Sequence, residues 1–305
     1  MVNNTPHMWI ILALISAFFL GVYDIFKKIS LKNNAVIPVL TFSILISALF
    51  FIPVIAFSYA DPQKAQSLYI YVPCVDWSTH FFILLKALIV LGSWISAYFG
   101  MKHIPITLFS PIRATQPMWT VVGAFFIFSE RLAPIQFIGV IVTIFSFYLF
   151  SLVGLKEGIS WKNNRWIWLI ILATLLGAAS GLYDKHLMQQ HDRMAVQVYS
   201  TMYQAVIMVI ITLFLWFPTR EKTTPFHWRW TIAGISLFLI LADFVYFWAL
   251  SSDGALISVI STIRRSGAVV PFLYGVVFLR EKNLKTKTVL LGGVLMGVIL
   301  LYIGR

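Results

Sequence analysis

Two adjacent arginines, Arg264 and Arg265, stand in the middle of a stretch of apolar and small residues, Ser258-Val259-Ile260-Ser261-Thr262-Ile263-Arg264-Arg265-Ser266-Gly267. Arg113 stands in similar surroundings, with Ser110, Gln116 and Thr120 near it at helical spacing. A guanidinium stays charged at any physiological pH, and its planar fork of donors suits carboxylate or phosphate. The chemistry these residues suit is binding of an anionic group. Internal pairing with Asp243, Asp24 or Asp184 is the competing, purely structural explanation. Asp243 could itself neutralise an arginine, contact an amine or carry a proton. Ser261, Tyr246, Gln116 and Tyr203 are the uncharged side chains expected to share the site.

These residues gain meaning from the elements that hold them. The chain has 305 residues, 60% of them apolar and 11% charged. An ordinary soluble chain carries about 25% charged residues because its surface needs them. A bilayer removes that need, and a spanning helix takes about 20 mostly apolar residues. Apolar runs bounded by charges, Pro or Asn predict spans near 8–27, 36–58, 79–100, 106–128, 132–152, 165–186, 195–217, 229–250, 254–279 and 284–303. The expected fold class is therefore an all-α integral membrane protein of ten transmembrane helices. The run from Trp9 is as long as a span and has no basic residues before it, so it reads as the first helix and not as a cleaved leader.

The chain repeats itself. Gly21-Val22-Tyr23-Asp24 returns as Gly181-Leu182-Tyr183-Asp184, and Ser129-Glu130-Arg131 returns as Arg280-Glu281-Lys282. The halves divide as 1–155 and 156–305. Five helices in each half force the two repeats into opposite orientations, a recurring plan of secondary transporters with a site at the repeat interface. The spacing that aligns Glu130 with Glu281 also aligns Arg113 with Arg264. Arg264 then lies about ten residues from either loop, roughly 15 Å deep in the bilayer. Charge at that depth normally faces a cavity or a partner. Ser258, Ser261 and Arg265 are expected to form one polar stripe on that helix.

Other charges read more locally. Asp24 and Asp184 are repeat-related and fall near the expected helix ends. Each is either a local salt bridge, as the spacing of Asp24 to Lys27 and Lys28 allows, or part of a gate at one cavity mouth. Lys86 reads as shallow and able to snorkel. Lys185 reads as a loop charge, and Trp9 as an interfacial anchor. The net charge of +12 is spread over short loops and not gathered into a face, so nucleic acid is not an expected partner. One cysteine, Cys74, leaves no internal disulfide, and the histidines lack metal-ligand spacing, so no cofactor or metal is expected. A membrane-embedded lipid-modifying enzyme is the rival class, but no catalytic cluster or motif supports it. The last helix, with Gly292, Gly293 and Gly297, suits close packing in a monomer or a homodimer contact.

The two repeats, Glu130-Arg131 and Glu281-Lys282, and the fourth and ninth helices with Pro111, Pro117, Gly267 and Pro271 together resemble the EamA-like group of the drug/metabolite transporter superfamily. The resemblance covers essentially the whole chain. It implies a multi-pass protein of the cell (inner) membrane, no enzyme activity, and alternating access of a small metabolite through a central cavity. Arg113 and Arg264-Arg265 are similar in placement to the phosphate-binding basic residues of the sugar-phosphate translocator branch, with Arg where that branch uses Lys. The implied cargo is a phosphorylated or carboxylate metabolite, with amino-acid export as the alternative. The resemblance also implies cytoplasmic termini, whereas the excess of Lys and Arg in the loops holding Lys27, Lys32, Arg220 and Lys222 would place the termini outside.

Overall fold

A computed structural model describes residues 8–103, 112–113, 115–152, 165–267, 270, 274 and 284–303. The described residues are helical with short connections. The helices are α1 (Met8–Leu31), α2 (Val36–Ala60), the short α3 (Pro62–Ser67), α4 (Trp77–His103), α5 (Gln116–Phe128), α6 (Pro134–Leu152), α7 (Arg165–Gln190), α8 (Arg193–Ile211), α9 (Thr231–Leu250), α10 (Ile257–Ser266) and α11 (Leu284–Ile303). α8 continues through a π turn, Thr212–Trp216, and a 3-10 turn, Phe217–Lys222.

Six of these helices are long and apolar enough to cross a membrane, and Gln116–Phe128 and Pro134–Ser146 are shorter apolar helices. The expected count of ten spans is therefore not reached among the described residues: the six are the first, second, third, sixth, seventh and eighth expected spans, and the stretches around the fourth and ninth are only partly described. Four of the described helices, α1, α2, α4 and α7, run past their expected ends. Leu31, not Lys27, ends α1, and Gln190 ends α7, so Asp184 sits inside a helix and not at its end.

Short polar side chains set the boundaries. Asp76 opens α4 by accepting hydrogen bonds from the Ser78 and Thr79 hydroxyls, and these hold its carboxyl down at about 2. Asp192 opens α8 by accepting from the backbone N–H groups of Met194 and Ala195 at 2.8 and 3.0 Å. After α1 the chain turns at Asn33, whose φ of 52° is a left-handed conformation that Asn tolerates. Asn34 then accepts from Ala35 N and from His227 N, tying this turn to the loop before α9.

The helices pack in related pairs. α1 lies antiparallel to α9, joined by Ser16 to the Ala242 carbonyl and by Ser30 to Thr231. α4 lies antiparallel to α7, joined by Lys86 to Asp184 and by Ser93 to the Ala173 carbonyl. α6 and α11 lie antiparallel where an added Cβ at Gly139 would stand 2.8 Å from the Gly297 carbonyl oxygen. We call the face where α1 begins face A and the face where it ends face B.

The outer surface is apolar. Leu49, Phe126, Val206 and Trp230 are 61%, 77%, 60% and 82% exposed. Exposed large apolar side chains on so many helices suit lipid, not water. Inside, α1, α7, α9 and α10 share the largest core, with Ile10, Leu187, Phe247 and Ile260 buried in it. Trp9 is 2% exposed within that core and is not an interfacial anchor.

The close α6–α11 contact predicts that Gly139→Val forces the helices apart. Overpacking of this kind costs about 1–3 kcal/mol. Thermal unfolding in detergent should show a lowered midpoint, and an unchanged midpoint would mean that the contact is not tight.

Candidate functional site

A cavity of about 870 Å³ opens between the helices. Its wall combines residues of α1, α2, α4, α5, α7, α8, α9 and α10 with Arg113, which stands just ahead of α5. The cavity reaches face B at Leu31 and the exposed Lys32, and it ends toward face A at Lys86, Asp184, Phe247 and Ile257. Both halves of the sequence supply its wall.

Most of its charges are neutralised locally. Lys86 Nζ lies 2.5 Å from Asp184 Oδ1, with both side chains buried. The same ammonium sits 4.8 Å from the centre of the Phe247 ring. Arg264 Nη2 donates to Asp243 Oδ1 at 2.9 Å, and its guanidinium lies 3.8 Å from the centre of the Tyr246 ring. Asp24 and Lys27 are 3.8 Å apart near the opening.

Two arginines are different. Arg113 donates to the Ala173 carbonyl at 2.8 Å, and Arg265 donates to the Gln116 side-chain oxygen. Among the described residues neither forms a salt bridge with a carboxylate. The two are brought together by α7. Arg113 touches Ala173 of α7, and Gln116 packs on Gly177, one turn further on. An added Cβ at Gly177 would stand 2.8 Å from the Gln116 oxygen, so glycine there lets α5 and its arginine partner approach. Arg264 adds an unused donor, because its buried Nε has no hydrogen-bond partner among the described residues.

The structure thus gathers Arg113, Gln116, Asp243, Tyr246, Ser261, Arg264 and Arg265 around one cavity, together with Asp24 and Asp184. Tyr203 is not on its wall. Its hydroxyl pairs with His80 Nδ1 at 3.0 Å, because that face of α8 meets α4 and not the cavity. Ser258 leaves the expected stripe too and bonds Glu130. Ser110, Pro111, Pro271, Glu281, Lys282 and the side chain of Lys28 lie outside the described residues.

Three features were not anticipated from sequence. Lys86 does not snorkel: it is 4% exposed and pairs with Asp184. Lys185 is no loop charge: it is 6% exposed and lies 2.5 Å from Glu130. Finally, Gln197, Ser200, Thr201 and Gln204 of α8 line the cavity. Their spacing of i, i+3, i+4 and i+7 is a helical polar stripe that the sequence already carried.

A family model described as the EamA-like transporter family matches residues 7–152 and again residues 164–303. The chain belongs to the EamA-like transporter family. It is accordingly a multi-pass membrane protein of a transporter family, consistent with the drug/metabolite transporter superfamily. Among solved structures, one crystal structure is similar with a TM-score of 0.72, over 96% of this chain and 95% of the other, at 11% identity. That likeness is one of fold. No curated protein matches the chain. The two matched segments meet at the cavity of this EamA-like protein, since Arg113 and Gln116 come from the first and Arg264 and Arg265 from the second.

Removing one member of a buried ion pair leaves the other uncompensated and costs about 3–5 kcal/mol. Lys86→Met should therefore lower the thermal midpoint strongly, while Lys86→Met combined with Asp184→Leu should recover much of the loss. A loss in the double variant equal to the sum of the losses in Lys86→Met and in Asp184→Leu alone would show that the pair is not coupled.

Proposed function

We propose that this protein is a secondary transporter that moves a small anionic metabolite, phosphorylated or carboxylate, by alternating access through the central cavity. In this reading the halves 1–155 and 156–305 are inverted five-helix repeats, ten spans in all, set in the inner cell membrane. The observation that carries the reading is the pair Arg113 and Arg265. They bring two positive charges to the cavity, and among the described residues neither forms a salt bridge: Asp24 on the same wall acts on both from beyond salt-bridge distance and is paired with Lys27. Charge held inside a membrane protein without a partner is costly. An incoming anion supplies the partner, so binding the cargo and neutralising the site are one event.

Hydroxyl and amide groups of Ser93, Thr120, Gln197, Ser200, Gln204 and Ser261 surround this charge and offer hydrogen bonds to a polar cargo. Amino-acid export would need Asp243 for the cargo's amine, but that carboxylate already holds Arg264. The anionic reading is favoured for that reason.

Ligand-induced thermal stabilisation tests this directly. A ligand at a hundred times its Kd stabilises the folded state by about 2.7 kcal/mol. Phosphorylated or carboxylate compounds should raise the midpoint of the wild type and of Lys64→Ala, a surface variant outside the cavity, but not of Arg113→Ala or Arg265→Ala. Equal stabilisation of all four proteins would remove the arginines from the site. Stabilisation by zwitterionic amino acids alone would favour the export reading.

A further inference from the structure

Face A of the cavity is closed by a polar knot apart from the arginine site. Glu130 lies just past the end of α5 and is 7% exposed. Its carboxylate takes four donors. Lys185 Nζ of α7 donates to it at 2.5 Å, Ile257 N at 2.9 Å, Ser258 N at 3.2 Å and Ser258 Oγ at 2.7 Å. Lys185 also donates to the Ala255 carbonyl at 2.8 Å and lies 5.1 Å from the centre of the Phe128 ring. Glu130 therefore caps α10 from the turn that follows α5. Leu256, at the N-cap position of α10, forms no side-chain cap hydrogen bond, so this carboxylate takes over the role.

We propose that Glu130 and Lys185 are the lock of the face-A gate, and that they position the arginine helix when the gate is shut. This inference rests on the alternating-access reading above. The geometry follows from three points. The knot joins α5, α7 and the start of α10, which are the elements that carry or flank Gln116, Gly177, Arg264 and Arg265. It sits at the end of the cavity away from the face-B opening, one turn beyond Ser261. Among the described residues its charged members are one cation and one anion, both buried, so parting α5 from α10 leaves a buried lysine and an uncapped helix unless both reach water together. Opening at face A delivers that water. The pair is stable when shut or when fully open, and unfavourable in between, which is what a two-state gate requires.

Thiol accessibility tests the lock without any substrate. The sole native cysteine, Cys74, is exposed on the face-A loop, so its labelling by a membrane-impermeant maleimide identifies which vesicle orientation presents face A. The reporter is Ser261→Cys in a Cys74→Ser background. With the native lock, this thiol should label from face B and poorly from face A. Glu130→Gln and Lys185→Met should each raise face-A labelling several-fold, while Lys185→Arg, which can still donate to Glu130 and Ala255, should keep it low. Thermal unfolding identifies which variants are folded. If Glu130→Gln fails to fold, the contrast between Lys185→Met and Lys185→Arg decides. Unchanged face-A labelling in the folded variants, or equal labelling in Lys185→Met and Lys185→Arg, would overturn the lock. A lock that behaves as expected in a protein that binds no anion would overturn the cargo reading alone.

Discussion

The structure depends on one constraint: an ionised group in hydrocarbon must have a partner. Moving a charge from water into a low-dielectric interior costs several kcal/mol even after relaxation. The bundle answers this with paired charges at three depths. Glu130 and Lys185 stand at face A, Lys86 and Asp184 next, and Arg264 and Asp243 within the cavity wall. Each pair joins different helices, so each also fixes how the helices sit. Satisfying a charge and assembling the fold are the same act here.

Against that pattern Arg113 and Arg265 stand out. They are held by a carbonyl and by an amide oxygen, which satisfy donors but not charge. Lys86, Arg264 and Lys185 are already committed to carboxylates. Arg113 and Arg265 form no such pair among the described residues, and they sit where the two matched halves of the chain meet. The proposed anion site rests on this contrast between paired and unpaired cations.

Much of this was legible in the sequence, for physical reasons. Long apolar runs have one stable use, so the helices were readable. Arg113, Arg264 and Arg265 were readable because guanidinium groups deep in such runs are rare. The repeated Gly21–Asp24 and Gly181–Asp184 fall on α1 and α7, each of which lies antiparallel to a helix of the other matched segment. What could not be read was depth near helix ends. Lys185 and Glu130 fall beside the breaks in hydropathy that mark loops, and only the approach of α10 buries them. Tyr203 failed for the opposite reason. It lies deep along α8, but rotation about the helix turns it to His80 and turns Gln204 to the cavity. Hydropathy reports depth and leaves rotation to packing.

The most direct test is to locate a heavy tetrahedral oxyanion, tungstate, by anomalous X-ray scattering in crystals of the protein and of Arg265→Gln. The account predicts a wild-type peak within hydrogen-bond reach of Arg113 and Arg265, absent from the variant. Peaks confined to surface lysines, with none between those two arginines, would contradict it.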